Sequence, residues 1–536
     1  MLFLSAMKNS IYQFIYVVIL ITFSLSAYST SFKWVVYFND KPQVNFNPHT
    51  YFSEKAIERR IKHHLPLYTY SDLPVNENYV AEIASGVVDT KGVSRWLNCV
   101  FIYANYEQVE SLKNLHYVAK VEQLNSSAQL AKATVDKNLN ENLTPEELRK
   151  KQLNRLGYDY FKGNKIDGSG VRVAIFDAGF PYVNAHSAFN HLFKNNRVIA
   201  TYDFVKNKES VYGANSHGAQ CLSNICGMIG DKPIGLATGI EVLLARTERV
   251  LTEALKEEEN WLLAAEWADK NGADIISSSL GYTYHNHNKE DMNGKNSIVA
   301  QAARFATRKG MLVVNAAGNN GDDNWKIIGT PADVDSVLTV GGISPKNDYH
   351  IKFSSYGPNK QMQMKPNVCA YGHAAVAKDN DELGSNYGTS FATPLIAGFA
   401  ACVMQMNPEY TNMEIFKAIE RSAHLYPYFD YAHGFGVPQA SYFTKEAKPV
   451  TATFDIADNG KELVVKVNKL PLKEGANNSN NYLYFHFTNA EGALKSYTVL
   501  EVNEKIVTSF LKSEIKGKYT TLRVHYNGYT LTKDLN

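Results

Sequence analysis

The central part of this chain is predicted to fold as an α/β domain, a mostly parallel sheet with helices on both faces. Three observations predict it. Apolar runs recur, each passing into small or polar residues: VRVAIFD (171–177), ADIISSSLG (273–281), MLVVNAAGN (311–319) and SVLTVGGI (336–343). Helical stretches separate them, such as NWLLAAEWADKNG (260–272) and SIVAQAARFATRKG (297–310). Strands buried on both faces read as continuous apolar runs, and alternation with helices favours a parallel arrangement. Functional residues in such sheets gather at the carboxyl ends of the strands, where Asp177 and Asn319 fall.

The flanking regions follow in order. Lys8, the apolar run IYQFIYVVILITFSLSA (11–27) and the small residues Ala27 and Ser29 predict a cleaved signal peptide over residues 1–29. Met7 would start a more compact version of it. Residues 30–124 alternate between strand and helix patterns. Strands are expected at 33–38, 97–104 and 117–124, and helices at 53–64, behind a Ser cap, at 76–84 and at 106–114. That pattern predicts a small α+β domain. Residues 125–160 lose the β-pattern and read as a connector, exposed or partly helical, where proteolytic nicking would concentrate. The α/β domain then runs over 161–447. From 448 to 536 strand-like runs such as KELVVKVNKL and NYLYFHFTN alternate with turn residues and predict a small β-sandwich-like domain.

Composition excludes some classes. The 536 residues carry a formal net charge of +2, so no strong field favours nucleic acid or an anionic membrane surface. The basic run ERRIKHH (58–64) reads as a solvated helix face rather than a nucleic-acid site. No second apolar run spans a bilayer, so no permanent membrane span is expected once the signal is removed. Cys99, Cys221, Cys226, Cys369 and Cys402 do not form a disulfide framework or a metal-ligand pattern, and read mostly as buried apolar side chains. Of the 15 histidines, His186, His191, His285 and His287 read as surface residues.

Chemistry enters through four short blocks: VAIFDAG, NSHGAQ, VVNAAGNNG and GTSFATPLIAG. Ser390 precedes a long apolar helix, and Pro394 is tolerable there only in the first turn. A serine at a helix start is exposed as a nucleophile beside free backbone N–H groups, although alone it would read as a helix cap. His217 is expected at the start of a buried helix, its unperturbed pKa of about 6.5 suited to taking the serine proton unless burial shifts it. Asp177 closes a buried strand, where it needs a hydrogen-bonding partner; the His217 ring supplies one. Asn319, after a glycine at a strand end, can donate its amide to an oxyanion, or be a turn residue. Together these residues predict acyl transfer through a serine nucleophile.

The order Asp, His, Ser, with DGSGVRVAIFDAGF, NSHGAQ, ADIISSSLG, NAAGNNG, GTPADVDSVLTVGG, FSSYGP and GTSFATPLIAG, resembles the subtilisin-like serine peptidases, the subtilases, from about Gly168 to Thr444. The resemblance implies a subtilisin-like fold and Asp177, His217 and Ser390 as catalytic residues, with Asn319 as oxyanion donor. It implies that Ser279, Leu280 and Gly281 pair with substrate backbone. Ala316, Ala317 and Gly318 would wall the pocket before the scissile bond. It implies protein or peptide substrates, secretion to the medium, cell surface or periplasm, and a prodomain, here residues 30–124, that inhibits the enzyme until cut. The text departs from the family at Ala178, at Ala219 and Gln220, and at Asn367 and Tyr371. No acidic cluster has calcium-type spacing, so no cofactor or metal is carried over. The rival expectation is a retired enzyme that binds through its C-terminal β-domain.

Overall fold

The computed structural model describes residues 31–124, 143–249, 255–283, 287–444, 451–470 and 481–535. The expected signal peptide, residues 125–142 of the connector and His285 lie outside the described residues. The chain divides into two compact units, one of residues 1–45 and 70–125, the other of residues 46–69 and 126–536.

The smaller unit contains β1 (Phe32–Phe38), α1 (Glu77–Gly86), β2 (Asp89–Ser94), β3 (Cys99–Ala104), α2 (Tyr106–Lys113) and β4 (Val118–Gln123). Its antiparallel sheet has the order β2-β3-β1-β4. Trp34, Val36 and Phe38 alternate along β1 onto one face and join Val100, Ile102 and Ala104 in the core. Asn76 and Asn105 cap the two helices, the second through a full capping box with Gln108. β2 escaped the sequence reading because DTKGVS carries one apolar side chain.

The larger unit is organised by a seven-stranded parallel sheet. Its strands are β5 (Arg172–Asp177), β6 (Val198–Asp203), β7 (Glu241–Arg246), β8 (Ile275–Ser278), β9 (Leu312–Ala316), β10 (Leu338–Ile343) and β11 (Val368–Tyr371), in the order β11-β10-β9-β8-β5-β7-β6. Both faces are covered. Val173 and Ile175 of β5 share a core with Leu222 and Ile396, whereas Phe176, pointing the other way, meets Trp261 edge-on at 5.4 Å.

Of the two readings of the connector, exposed or partly helical, residues 145–155 take the helical one, and they are packed rather than exposed. They form α3 (Pro145–Arg155), capped by Thr144 and Glu147, with Leu148, Gln152 and Leu153 buried. Gln152 donates to the carbonyls of Ile234 and Ala375, and Arg149 to that of Pro233. Polar side chains here serve the inside of the fold, which is why composition suggested solvent. The basic run around residue 59 differs in the same way. Arg59 and Arg60, on the Glu54–Lys62 helix, are 2% and 1% exposed and share the Asp269 carboxylate.

The C-terminal strands are β12 (Phe454–Asp458), β13 (Glu462–Val467), β14 (Tyr482–Thr488), β15 (Leu494–Glu501), β16 (Ile506–Leu511), β17 (Thr521–Tyr526) and β18 (Tyr529–Asp534). They form two antiparallel sheets, β12-β13-β16 and β15-β14-β17-β18. Phe485 and Phe487 of the second sheet meet Phe510 of the first at 4.9 and 5.2 Å, so a common apolar layer lies between them. This module is joined to the α/β body by a buried aromatic seam. Tyr428 stacks on His486 at 5.0 Å, and His486 Nδ1 lies 2.6 Å from the Phe429 carbonyl.

The seam is rich in buried histidine. Burial lowers His486 and His525 to about 4 and His350, beside His433, to about 3; burial and then Arg155 hold His424 well below 6.5. In the unfolded chain these groups titrate near 6.5. As pH falls below about 6.5 the unfolded state takes up protons that the folded state refuses, so stability is lost progressively through about 4, where His486 and His525 follow, and on to about 3, where His350 does. The thermal midpoint, followed by near-ultraviolet circular dichroism, is expected to fall between pH 6.5 and 4. His525→Gln should flatten that slope; an unchanged slope contradicts the assignment.

Candidate active site

Four predicted residues converge at the carboxyl edge of the sheet. Asp177 ends β5 and is fully buried. His217 opens α4 (His217–Cys226), and its Nδ1 lies 2.8 Å from Asp177 Oδ1. The same oxygen accepts the Ala178 N–H at 2.7 Å. Gly218 makes the approach feasible: a Cβ there would stand 2.4 Å from the Gly179 carbonyl and 2.8 Å from Asp177 Cβ. The His217 side chain is 30% exposed, so one edge of the ring is open to a reactant. Burial disfavours its charge, but the Asp177 carboxylate outweighs this and holds the imidazole well above 6.5. The expectation of titration near 6.5 is corrected accordingly.

Ser390 is the second residue of α7 (Thr389–Met406), an apolar helix that is almost wholly buried. Its N–H belongs to the first turn, where no carbonyl of the helix can accept it. Its Oγ donates to the Ser279 carbonyl at 3.2 Å; among the described residues no hydrogen bond joins it to His217. Hydroxyls of resting sites are often misaligned and turn about χ1 when a substrate enters.

Pro394 is not confined to the first turn; it sits at the sixth position of α7. A proline there cannot donate to the carbonyl four residues earlier, which is that of Ser390. That carbonyl is satisfied from outside, by Ser279 Oγ at 2.8 Å and Cys221 Sγ at 3.3 Å. Cys221 is therefore more than apolar filling. Four residues after His217, it shares that helix face and brings its sulfur within 3.7 Å of His217 Nδ1. Burial raises its thiol pKa, so it stays an S–H donor at neutral pH. Its sulfur, with His217 and Asp177, offers ligand atoms within 4.8 Å of one another. A metal ion there would displace the proton that joins Asp177 to His217.

Asn319 follows Gly318 beyond β9. Its Oδ1 accepts both the N–H and the hydroxyl of Thr389 at 2.9 Å. A backbone N–H can only donate, so the oxygen must face Thr389 and the NH₂ group is left to donate elsewhere. Thr389 thus orients the amide, a role legible only once the two segments are brought together. Gly318 holds φ 108°, and a Cβ there would press Ser355 Oγ at 2.9 Å.

The six residues expected along a substrate also adjoin this edge. Ser279 and Leu280 are buried, while Gly281 borders open space. Asn315 Nδ2, buried and overlooked in the sequence, donates to the carbonyls of both Leu280 and Ala316, tying the two segments together. Ala317 is committed to the sheet by its bond to Val340, and the Gly318 carbonyl accepts from Ser355. Of the departures from the family text, Gln220 is held by Ser216 and Asn386, and Asn367 joins Thr339, Lys365 and Glu420. Two histidines expected at the surface are elsewhere: His186 is 6% exposed and bonded to Lys378 O, and His287 pairs with the buried Glu258 at 2.7 Å. His191 is half-buried, which lowers it to about 4.

Residues 168–437, about half the chain, match the model of the subtilase family. Residues 33–140 match the peptidase S8 propeptide domain of Bacteroidota. Serine protease AprX of Bacillus subtilis (strain 168) is 28% identical over 284 residues, covering 47% of this chain and 61% of its own length. Alkaline elastase YaB of Bacillus sp. (strain YaB) is 29% identical over 277 residues, covering 51% and 64%. Subtilisin BL of Lederbergia lenta is 28% identical over 264 residues, covering 48% and 85%. The chain therefore spans somewhat over three fifths of the first two relatives.

The geometry makes a spectroscopic prediction. The His217 ring should titrate with a midpoint above 6.5 by nuclear magnetic resonance, and Asp177→Asn should lower that midpoint, because the carboxylate that chiefly opposes burial is then gone. A midpoint unchanged by the substitution would show that Asp177 does not set it.

Proposed function

Since this chain belongs to the subtilase family, we propose that it is a serine endopeptidase, exported by residues 1–29 and made as a zymogen. The observation that carries this reading is the 2.8 Å bond between His217 and the buried Asp177, placed beside a serine at a helix start. Ser390 Oγ attacks the peptide carbonyl carbon while His217 Nε2 takes its proton. Asp177 fixes the ring tautomer and stabilises the imidazolium. The carbonyl oxygen, now anionic, receives hydrogen bonds from Asn319 Nδ2 and the Ser390 N–H. The tetrahedral adduct collapses as His217 protonates the leaving amine. Water, activated by the same ring, then releases the acyl group. Ser279–Gly281 lie beside the substrate as an added strand, and Ala316–Gly318 wall the pocket for the residue before the cut.

The propeptide match supports synthesis as an inactive precursor. The buried packing of α3 argues that self-cutting falls before Thr144, narrower than the whole connector. The domain limits 30–124, 145–447 and 448–536 are proposed on the same footing, the α/β domain gaining residues 145–160 from the expected connector.

A fluorophosphonate probe should label the wild-type protein at Ser390 and leave Ser390→Ala unlabelled. Absence of labelling at every pH tested would favour the retired enzyme. In a protease-free host Ser390→Ala should persist as the uncut precursor; equal processing of both proteins would sink the self-cutting step.

For cleavage of a soluble peptide, kcat/KM should rise with pH through a midpoint above 6.5, since His217 must lose its proton to act as base. Asn319→Ala should lower kcat roughly a hundred- to a thousand-fold with little change in KM, a magnitude known from the same donor type in subtilisin. A loss confined to KM would remove Asn319 from the oxyanion site.

A further inference from the structure

The Glu54–Lys62 helix lies within the region that matches the propeptide, yet it belongs to the larger unit. The chain leaves the smaller unit at Asn45 and returns to it at Tyr70. What it does between is specific. Arg59 and Arg60 reach the ends of α5 (Leu255–Lys270) and α6 (Ile298–Arg308), where the last carbonyls of each helix lack intrahelical donors. Arg59 donates to the carbonyls of Ala273 and Asp269 and, through Nε at 3.1 Å, to that of Lys309. Both guanidinium groups also pair with the Asp269 carboxylate. Arg60 lies 3.8 Å above the Phe52 ring. A cation at two helix C-termini, supported by a buried carboxylate and an aromatic face, is favoured by dipole, charge and stacking together.

The receiving surface is shaped for this segment. Gly272 and Gly310 follow the two helices with φ of 76° and 88°. A Cβ on Gly272 would come within 2.8 Å of Ser53 Oγ, and one on Gly310 within 2.7 Å of His63 Nδ1. The Ser53 N–H donates to the Lys270 carbonyl at 2.9 Å, Lys309 Nζ to Thr69 at 2.8 Å, and Lys55 to the Gly170 carbonyl. Gly170 and Asp274 precede β5 and β8, so the contact lies at the amino edge of the sheet. The proposed chemistry lies at the carboxyl edge, about 17 Å away along a six-residue strand.

We propose that residues 46–69 anchor the propeptide to the peptidase unit on the face opposite the reaction site, so that a cut between residues 125 and 142 leaves two pieces bound together. The inference rests on the reading that this chain is a zymogen. The anchor does not compete with substrate, so a cut enzyme can hold it while working. Loss of the smaller unit then needs a second cut beside the anchor.

The test uses the full chain as Ser390→Ala with a site for a sequence-specific protease placed between residues 125 and 142. After cutting by the added protease, the pieces are separated by size and weighed by native mass spectrometry; the outcome does not depend on whether the chain cuts itself. Co-elution at micromolar concentration is expected. Arg59→Ala with Arg60→Ala should weaken the association at least a hundredfold. The milder Arg59→Lys with Arg60→Lys keeps charge, loses the planar fork and should weaken it about tenfold. Hydrogen exchange of residues 46–69 in the cut, unsubstituted protein should remain slow, which is independent of how the variants fold. Separation of the unsubstituted pieces, or fast exchange of that segment, would overturn the proposal.

Discussion

A carboxylate removed from water organises this site. Asp177 is fully buried at the end of a strand, where its charge would be costly without donors. The His217 ring and the Ala178 amide supply them on one oxygen. Everything near that bond serves its length: a glycine where a side chain would collide, a helix that begins at the histidine, and a strand that delivers the acid from the opposite side. The same contact sets the basicity of the ring, so one geometric constraint governs both the architecture of the edge and its proton chemistry.

The nucleophile is governed by a second constraint. Proline in the interior of α7 frees the Ser390 carbonyl, and two side chains from other elements bind it. Ser279 therefore touches the Ser390 turn twice, by its hydroxyl and by its backbone. The strand proposed to hold substrate and the turn carrying the nucleophile are mechanically one piece. Thr389, adjoining the nucleophile, orients Asn319 in turn. Displacement of any member would be felt by the others.

Much of this was legible in the sequence. Apolar runs ending in polar residues located β5, β8, β9 and β10, because burial on both faces demands continuity, whereas β6, β7 and β11 were not read. Ser53 and the motif blocks located helix starts through capping and glycine chemistry. The misses share one cause. Arg59, Arg60, Gln152 and Arg149 are polar side chains that look inward, and composition assigns such residues to solvent unless their partners are known. Those partners, Asp269 and the carbonyls of Ile234 and Pro233, lie 82 to 210 residues away, beyond any local pattern. Cys221 and Thr389 were missed for the same reason: each acts on a group that only tertiary folding brings near.

The arginine contact to Asp269 also closes a ring of 210 residues. The entropy of closing such a ring grows only slowly with its length, and the length-dependent term is about 5 kcal/mol here. That cost is met once, while the chain is whole, and the contact then forms at an effective concentration set by the chain itself. A break anywhere in the ring changes the molecularity of the contact. What was an internal closure becomes an association of two chains, and its occupancy falls with dilution. Once the chain is nicked, the volume into which it is released becomes a variable that governs how long its two parts stay together.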